Sequence, residues 1–456
     1  MLIRIRLENF KSFRDNTELT MISSSKIQKC PEHKVKMGNT NVLKHAVIYG
    51  ANASGKSNLV DFFWFIKNTV ADKMPLEASE WFCKRNESSA ERDSSFEIQF
   101  SFNDRFYSYG FTALLHQQCI TSEWLYELFP SRNARCLFER DKGASRPILG
   151  SELKPSESDK SKFDIYADDF DGNDSVLFLT EMNHSKKIAD DSELRFFKEV
   201  YTYITEKIVV VRPNTFFNDI SYYFDESSLQ EISQILKSFD TGIDTVTTEK
   251  VDLEEFKNKV PKSVINKAID RIRNMAAPNG ITEDSPLAPS ITLRSNRNFF
   301  TIILYKNTLA VFTIKTSHTG STYQFSLDEE SDGTRRIFEL IDMLLNAEHD
   351  VVYVVDELER SLHPMLTKHF LDLFMSYHKD HQTQLIFTTH ESSIMDQTLF
   401  RRDEIWFVER DSHHTSDIYS LDRFKERYDK DLSKAYLEGR YGAIPVFSSL
   451  SDEEGE

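Results

Sequence analysis

Lys56 and Ser57 close an eight-residue stretch, Gly50-Ala51-Asn52-Ala53-Ser54-Gly55-Lys56-Ser57. Its spacing is that of G-x-x-x-x-G-K-[ST], a loop that wraps phosphate groups. Glycines let the backbone turn tightly, so that successive N–H groups point inward at phosphate oxygens. Lys56 would reach the β and γ phosphates, and the Ser57 hydroxyl would face Mg²⁺. A helix beginning near Gly55 adds its positive end. Gly50, Asn52, Gly55, Lys56, Ser57 and Asn58 are the expected phosphate-binding set.

Three further places carry chemistry. "VVYVVDE" ends in Asp356-Glu357. An acid at the end of such a strand would hold Mg²⁺ with Ser57, and the next carboxylate, Glu357, would orient or deprotonate a water. "QLIFTTH" ends at His390, placed to contact a γ-phosphate. In "EESDGTRRIFELIDMLL", Ser331 is a good N-cap and Gly333 allows close approach, so a second helix N-terminus is available to a phosphate.

These residues need a scaffold. Ala46–Tyr49 reads as a buried strand before the loop, and Asn58–Val70 as a helix after it. Val351–Val355 is a β-branched run suited to a central parallel strand. "SSFEIQFSFNDRFYSYGFTALL" reads as two strands around Asn103-Asp104-Arg105, the centre of an antiparallel lobe. Residues 190–288 favour helix and are expected to be a helical insertion that contributes no phosphate ligand and is dispensable for nucleotide binding. "APNGITEDSPLAPS" reads as the linker that closes it, and two strands follow around Lys306-Asn307. The expected division is 1–189 and 289–456 for the two parts of a nucleotide-binding head, with 190–288 between them.

The bulk numbers narrow the class. With 456 residues and 39% apolar content the chain can bury real cores. No run of about 18 apolar residues indicates a membrane helix, and no apolar leader opens the chain. Four scattered cysteines read as free thiols of a reducing cytoplasm. A net charge of −17 opposes a chain coated in nucleic-acid-binding surface, though not a local basic groove. No sustained heptads indicate a long coiled coil.

The motif order resembles the ABC-type ATPase heads of SMC-like and OLD-like proteins. "GANASGKS", "SDGTRR", "VVYVVDE", "SLHP" and "TTH" fall in that family's order of P-loop, signature, Walker B, D-loop and switch histidine. "RLENFKSF", "SLHP" and "YLEGRYGAIP" resemble the phage-defence branch of RloA and AbiL type. The resemblance covers about 1–70 and 325–445. It implies an α/β fold: an ABC-type P-loop ATPase head with an antiparallel β lobe and a helical insertion. It implies slow ATP hydrolysis with Mg²⁺. Glu357 would be the catalytic carboxylate, His390 the switch, Asp356 the Walker B acid, and Ser331 and Gly333 the signature pair. The signature lacks the usual leading Leu-Ser, and no Q-loop glutamine is assigned; Gln99 falls in a strand and Gln117-Gln118 near a turn.

The resemblance further implies a homodimer or larger assembly whose heads sandwich ATP, and a separately encoded nuclease or toxin as effector. Nucleic acid is left open as a partner, and no membrane is expected. A DNA-binding ATPase of the recombination-mediator kind is the alternative. It is disfavoured by the acidic balance and the missing coiled coil. A slow nucleotide-gated interaction module is opposed by the intact Glu357, and a transporter ATPase by the opening strand and the large insertion.

Overall fold

In the computed structural model, all residues are described except 130–131, 142, 144–145, 185, 187, 214–225, 277–289, 295–298, 306–307, 346–349, 425–430 and 446–456. The linker read over 277–290 (all but its last residue), the Lys306-Asn307 turn and the acidic tail therefore lie outside the described residues.

The chain opens with β1 (Leu2–Glu8), β2 (Thr17–Thr20) and the hairpin β3 (Lys34–Met37) and β4 (Thr40–Leu43). Then come β5 (His45–Tyr49), the phosphate-loop segment and α1 (Lys56–Ala71). A run of antiparallel strands follows: β6 (Ser94–Phe102), β7 (Arg105–Leu114), β8 (Cys119–Leu128), β9 (Arg135–Arg140) and β10 (Ile148–Leu149). Helices α2 (Glu157–Phe170), α3 (Phe178–Asn183) and α4 (Phe196–Thr202) lead to β11 (Ile208–Val211). Next come α5 (Glu226–Ser238), β12 (Ile243–Val251), α6 (Leu253–Lys259) and α7 (Lys262–Ala276). The strands β13 (Ser290–Arg294), β14 (Phe299–Tyr305), β15 (Thr308–His318) and β16 (Gln324–Ser326) precede α8 (Asp332–Leu345). The chain then runs through β17 (Val352–Val355), α9 (Pro364–Tyr377), β18 (Gln384–Thr389), β19 (Ile405–Arg410), β20 (Ser416–Ser420) and α10 (Leu432–Leu437).

Contacts divide the chain into two units. The first holds Met1–Arg212, Glu348–Leu358 and His378–Glu456; the second holds Pro213–Ala347 and Glu359–Tyr377. In the first unit the antiparallel lobe has the order β10-β9-β8-β7-β6-β1-β2. Its β6–β7 turn is built by Asn103 (φ 50°) and Asp104 (φ 60°), residue types that tolerate the left-handed region a two-residue hairpin demands. The other sheet of this unit has the order β11-β17-β18-β5-β19-β20; all pairs are parallel except β19–β20. β5, β17 and β18 are buried throughout, as apolar runs in a parallel sheet must be.

The lobe and the parallel sheet share one core. Phe10, Phe65, Phe96 and Phe111 pack ring on ring between α1 and the lobe, with centroids 4.7–6.1 Å apart. Such pairs contribute about 0.5–1.5 kcal/mol each beyond area burial. Gln384, the first residue of β18, is fully buried. Its amide accepts from the Leu2 N–H at 2.6 Å and donates to the carbonyls of Leu2 (3.0 Å) and Leu43 (2.8 Å).

The fold class read from the sequence holds: α/β, with a phosphate-loop core and an antiparallel lobe. The reading of 190–288 is corrected. β11 lies inside that span and pairs with β17 from Ile208↔Val352 to Val211↔Val355. The four-residue run Ile208-Val209-Val210-Val211 is too short to break a helical average over its neighbours, yet its β-branched residues suit a buried parallel strand. β12 also falls in the span and pairs along its length with β15, so the helices α5, α6 and α7 belong to a unit with its own sheet, of order β12-β15-β14-β13. Removing 190–288 would take β11 from the parallel sheet and β12 from the second unit's sheet, so the span is not an all-helical insertion.

Candidate nucleotide site

Sheet register brings the first unit's site residues to one level. Val355 stands opposite Phe387, and Thr389 opposite Tyr49. The residues that follow these pairs are Asp356, His390 and Gly50, and they leave the sheet at its C-terminal edge. That edge is where ligands bind in open parallel sheets.

The loop from Gly50 to Gly55 is shaped by close neighbours. A Cβ on Gly50 would lie 2.4 Å from the Val408 carbonyl oxygen, and one on Gly55 2.5 Å from Ser416 Oγ and 2.6 Å from Ser12 Oγ. Gly55 also sits at φ +112°, where a side chain is strained. Asn52 and Ser57 are exposed. Asn58 donates to Ser12 Oγ at 2.7 Å, and Ser416 Oγ lies 2.7 Å from the same oxygen.

Lys56 is buried, with its ammonium folded over the loop. It donates to the carbonyls of Gly50 (2.7 Å) and Ala51 (3.0 Å) and lies 3.3 Å from His390 Nδ1. An ammonium has donors only, so Nδ1 must accept and the ring proton sits on Nε2. That nitrogen is 3.9 Å from Glu357 Oε1. The imidazole thus stands between the loop lysine and the carboxylate. Both His390 and Glu357 side chains are more than a third exposed, open to a water or a ligand oxygen.

Asp356 is 6% exposed and accepts from Thr388 Oγ1 at 2.6 Å; the same hydroxyl accepts from the Glu357 N–H at 2.8 Å. Glu357 has φ +50°. Thr388 thereby fixes the turn that aims consecutive carboxylates in different directions. Ser57 and Asp356 offer hard oxygen donors of the kind Mg²⁺ selects.

Ser331 and Gly333 lie in the second unit. Ser331 Oγ accepts from Thr334 N–H at 3.1 Å, the N-cap bond expected from its type. A Cβ on Gly333 would stand 3.0 Å from the Ser361 carbonyl oxygen. Glu330, just before the cap, is buried and contacts His318 Nε2 at 2.8 Å. Gln99 lies in β6 and donates to Glu97 at 2.6 Å, and Gln118 follows a single-turn helix, at φ +55°.

The AAA-domain family described as "AAA domain, putative AbiEii toxin, Type IV TA system" matches residues 46–396, more than half of the chain. The chain belongs to this family. Against curated proteins, nothing matches. Among solved structures, this AAA-family chain is similar to an SMC head bound to the C-terminal winged-helix domain of ScpA. The identity is 15%, the coverage 92% of this chain and 97% of that one, and the TM-score 0.36. It is also similar to the SMC head domain from Thermotoga maritima, at 13% identity, 92% and 98% coverage and a TM-score of 0.33. Among the described residues, no helix of this AAA-family chain is long and apolar enough to cross a membrane.

Sequence reasoning overlooked Thr388, Ser12 and Ser416. Thr388 had a signal: a polar residue at the end of an otherwise apolar strand, one place before Thr389 and two before His390. Ser12 and Ser416 had none, because only the fold brings them together, 404 positions apart. Thr388→Val keeps the shape and removes the hydroxyl. It leaves buried Asp356 without that donor, so the AAA-family chain should lose about 1–3 kcal/mol of stability. Its turnover should fall as Glu357 loosens. Urea unfolding midpoints and steady-state ATPase rates on the same preparation check both.

Proposed function

We propose that the chain is a slow, regulated ATPase whose two copies close around ATP and so control a separately encoded effector, a nuclease or toxin, in antiviral defence. The observation that carries the reading is the row Lys56, His390, Glu357, with neighbours 3.3 and 3.9 Å apart, at the edge of the parallel sheet where the phosphate loop begins. In this reading Lys56 leaves the loop carbonyls for the β and γ phosphates. Glu357 accepts the proton of the attacking water. His390, with its proton on Nε2, orients that water or the γ-phosphate. Ser57 and Asp356 would hold Mg²⁺, which supplies charge neutralisation between the phosphates. Ser331 and the N–H groups near Gly333 would face the γ-phosphate held by the other copy.

Family membership and the resemblance of the motif order support nucleotide chemistry. The defence role rests on the resemblance of "RLENFKSF", "SLHP" and "YLEGRYGAIP". Lys56→Ala should weaken ATP binding by about 10–100-fold, the scale of a lost charged hydrogen bond of roughly 1.5–3 kcal/mol. Equilibrium binding of a fluorescent ATP analogue measures this, and unchanged affinity would refute the assignment of the loop. Affinity purification of the chain from its native host, with and without ATP, should recover a nuclease or toxin encoded beside it. Recovery of DNA-repair factors instead would favour the recombination-mediator reading.

A further inference from the structure

The start of β5 lies at the end of the strand opposite the phosphate loop, and a second group of reactive side chains gathers there. His33 ends a single-turn helix, Pro31–His33; His45 is the first residue of β5; Glu404 ends the turn Arg402–Glu404 that leads into β19. All three are buried, with exposures of 6%, 3% and 0%. One ligand atom from each lies within 4.8 Å of the others. Cys30, Glu32 and His33 form a second such trio that shares His33.

The distances are those of a coordination shell. Donor atoms about 2.0–2.1 Å from a tetrahedral zinc ion stand roughly 3.3–3.4 Å apart. Glu404 Oε1 lies 3.2 Å from His33 Nδ1 and 3.3 Å from His45 Nδ1. The other oxygen, Oε2, accepts from the Arg401 N–H at 2.8 Å and lies 2.9 Å from His33 Nδ1. Oε1 thus reaches both imidazoles, while Oε2 meets His33 and is also held by the backbone, the outer support that metal-bound carboxylates require.

Charge points the same way. The Arg401 guanidinium is matched by Asp403, at 2.8 and 2.9 Å. With neutral imidazoles, Glu404 would be a buried anion, which is costly without a counter-charge. A divalent ion among the three would supply that counter-charge. Two imidazoles and a carboxylate suit zinc better than Mg²⁺ or Ca²⁺.

We propose that His33, His45 and Glu404 bind one zinc-type divalent cation that ties the Pro31–His33 turn and the Arg402–Glu404 turn to the first residue of β5. The site is structural, since all three ligands are buried, and it is separate from the Mg²⁺ position proposed at Ser57 and Asp356.

The test uses the full chain without nucleotide. Elemental analysis after chelator-free purification should find one zinc per chain. Replacement by Co²⁺ should give the visible absorption of a tetrahedral site. Glu404→Gln should weaken Co²⁺ binding by about 100-fold or more, since even outer-shell changes cost roughly 10–100-fold. Should Glu404→Gln not fold, His45→Gln and the Co²⁺ titration of the unaltered chain decide instead. Less than a tenth of an equivalent of zinc together with no tetrahedral Co²⁺ spectrum would overturn the proposal. So would a Co²⁺ signal that survives Glu404→Gln and His45→Gln or forms only with ATP. The trio would then be a carboxylate sharing a proton with two imidazoles.

Discussion

Glu357→Gln is expected to lower ATP hydrolysis by about 10²–10⁴-fold, the usual contribution of a general base, while ATP binding persists. The substitution keeps the side chain's length and leaves the backbone bond from Glu357 N–H to Thr388 intact. Gln and Glu also meet the same cost at φ +50°, so the change isolates the proton acceptor from the turn. A single-turnover assay with radiolabelled ATP, paired with filter binding, separates chemistry from affinity. Hydrolysis at the unaltered rate would show that another group takes the proton. Because 3.9 Å separates Glu357 from His390, the imidazole is the first replacement to try. His390→Asn should then be far more damaging than Glu357→Gln.

The other large effect concerns mixed assemblies. If Ser331 and Gly333 complete the site of a second copy, two copies related by a two-fold axis hold two composite sites. Lys56→Ala alone and Ser331→Arg alone should each be inactive. In a dimer containing one of each, one site takes both defects and the other takes none. About half of the sites in such dimers would be intact, and ATPase activity should return on mixing unless the sites are obligatorily coupled. Differently tagged chains, purified through both tags and assayed directly, give the answer. The chain should also pass from monomer to dimer on adding ATP in the Glu357→Gln background, because ADP lacks the γ-phosphate that the second copy would contact. A monomer at saturating ATP would refute the composite site.

Much of this site was legible in the sequence because its residues occupy strand ends. An apolar run with a defined last residue locates its acid or histidine without knowledge of the neighbours, as with Val351–Val355 before Asp356 and Leu385–Phe387 before Thr388, Thr389 and His390. The hairpin at Asn103 and Asp104 was legible for a local reason too, since turn chemistry is written in the turn residues. What was missed is non-local. The strand Ile208–Val211 is shorter than the helical stretches around it, and its partner Val352–Val355 comes 144 positions later. The trio His33, His45 and Glu404 had no legible spacing, because its third member comes from a turn 359 positions beyond the second.

The parallel sheet has a consequence for biosynthesis. His45 and its successors in β5 leave the ribosome early, but their neighbours in β18 begin at Gln384 and those in β19 at Ile405. At about 5–20 residues per second, the strand that carries the phosphate loop waits on the order of half a minute for either flank. The lobe strands β6 to β9 are hairpin neighbours and need no such wait, and α1 already has the aromatic face of that lobe to rest on. A nascent chain stalled before Gln384 would thus carry the whole phosphate loop on a strand that lacks both of its sheet neighbours. The ATP proposed for this loop would then meet a complete site only after the C-terminal strands have closed around β5.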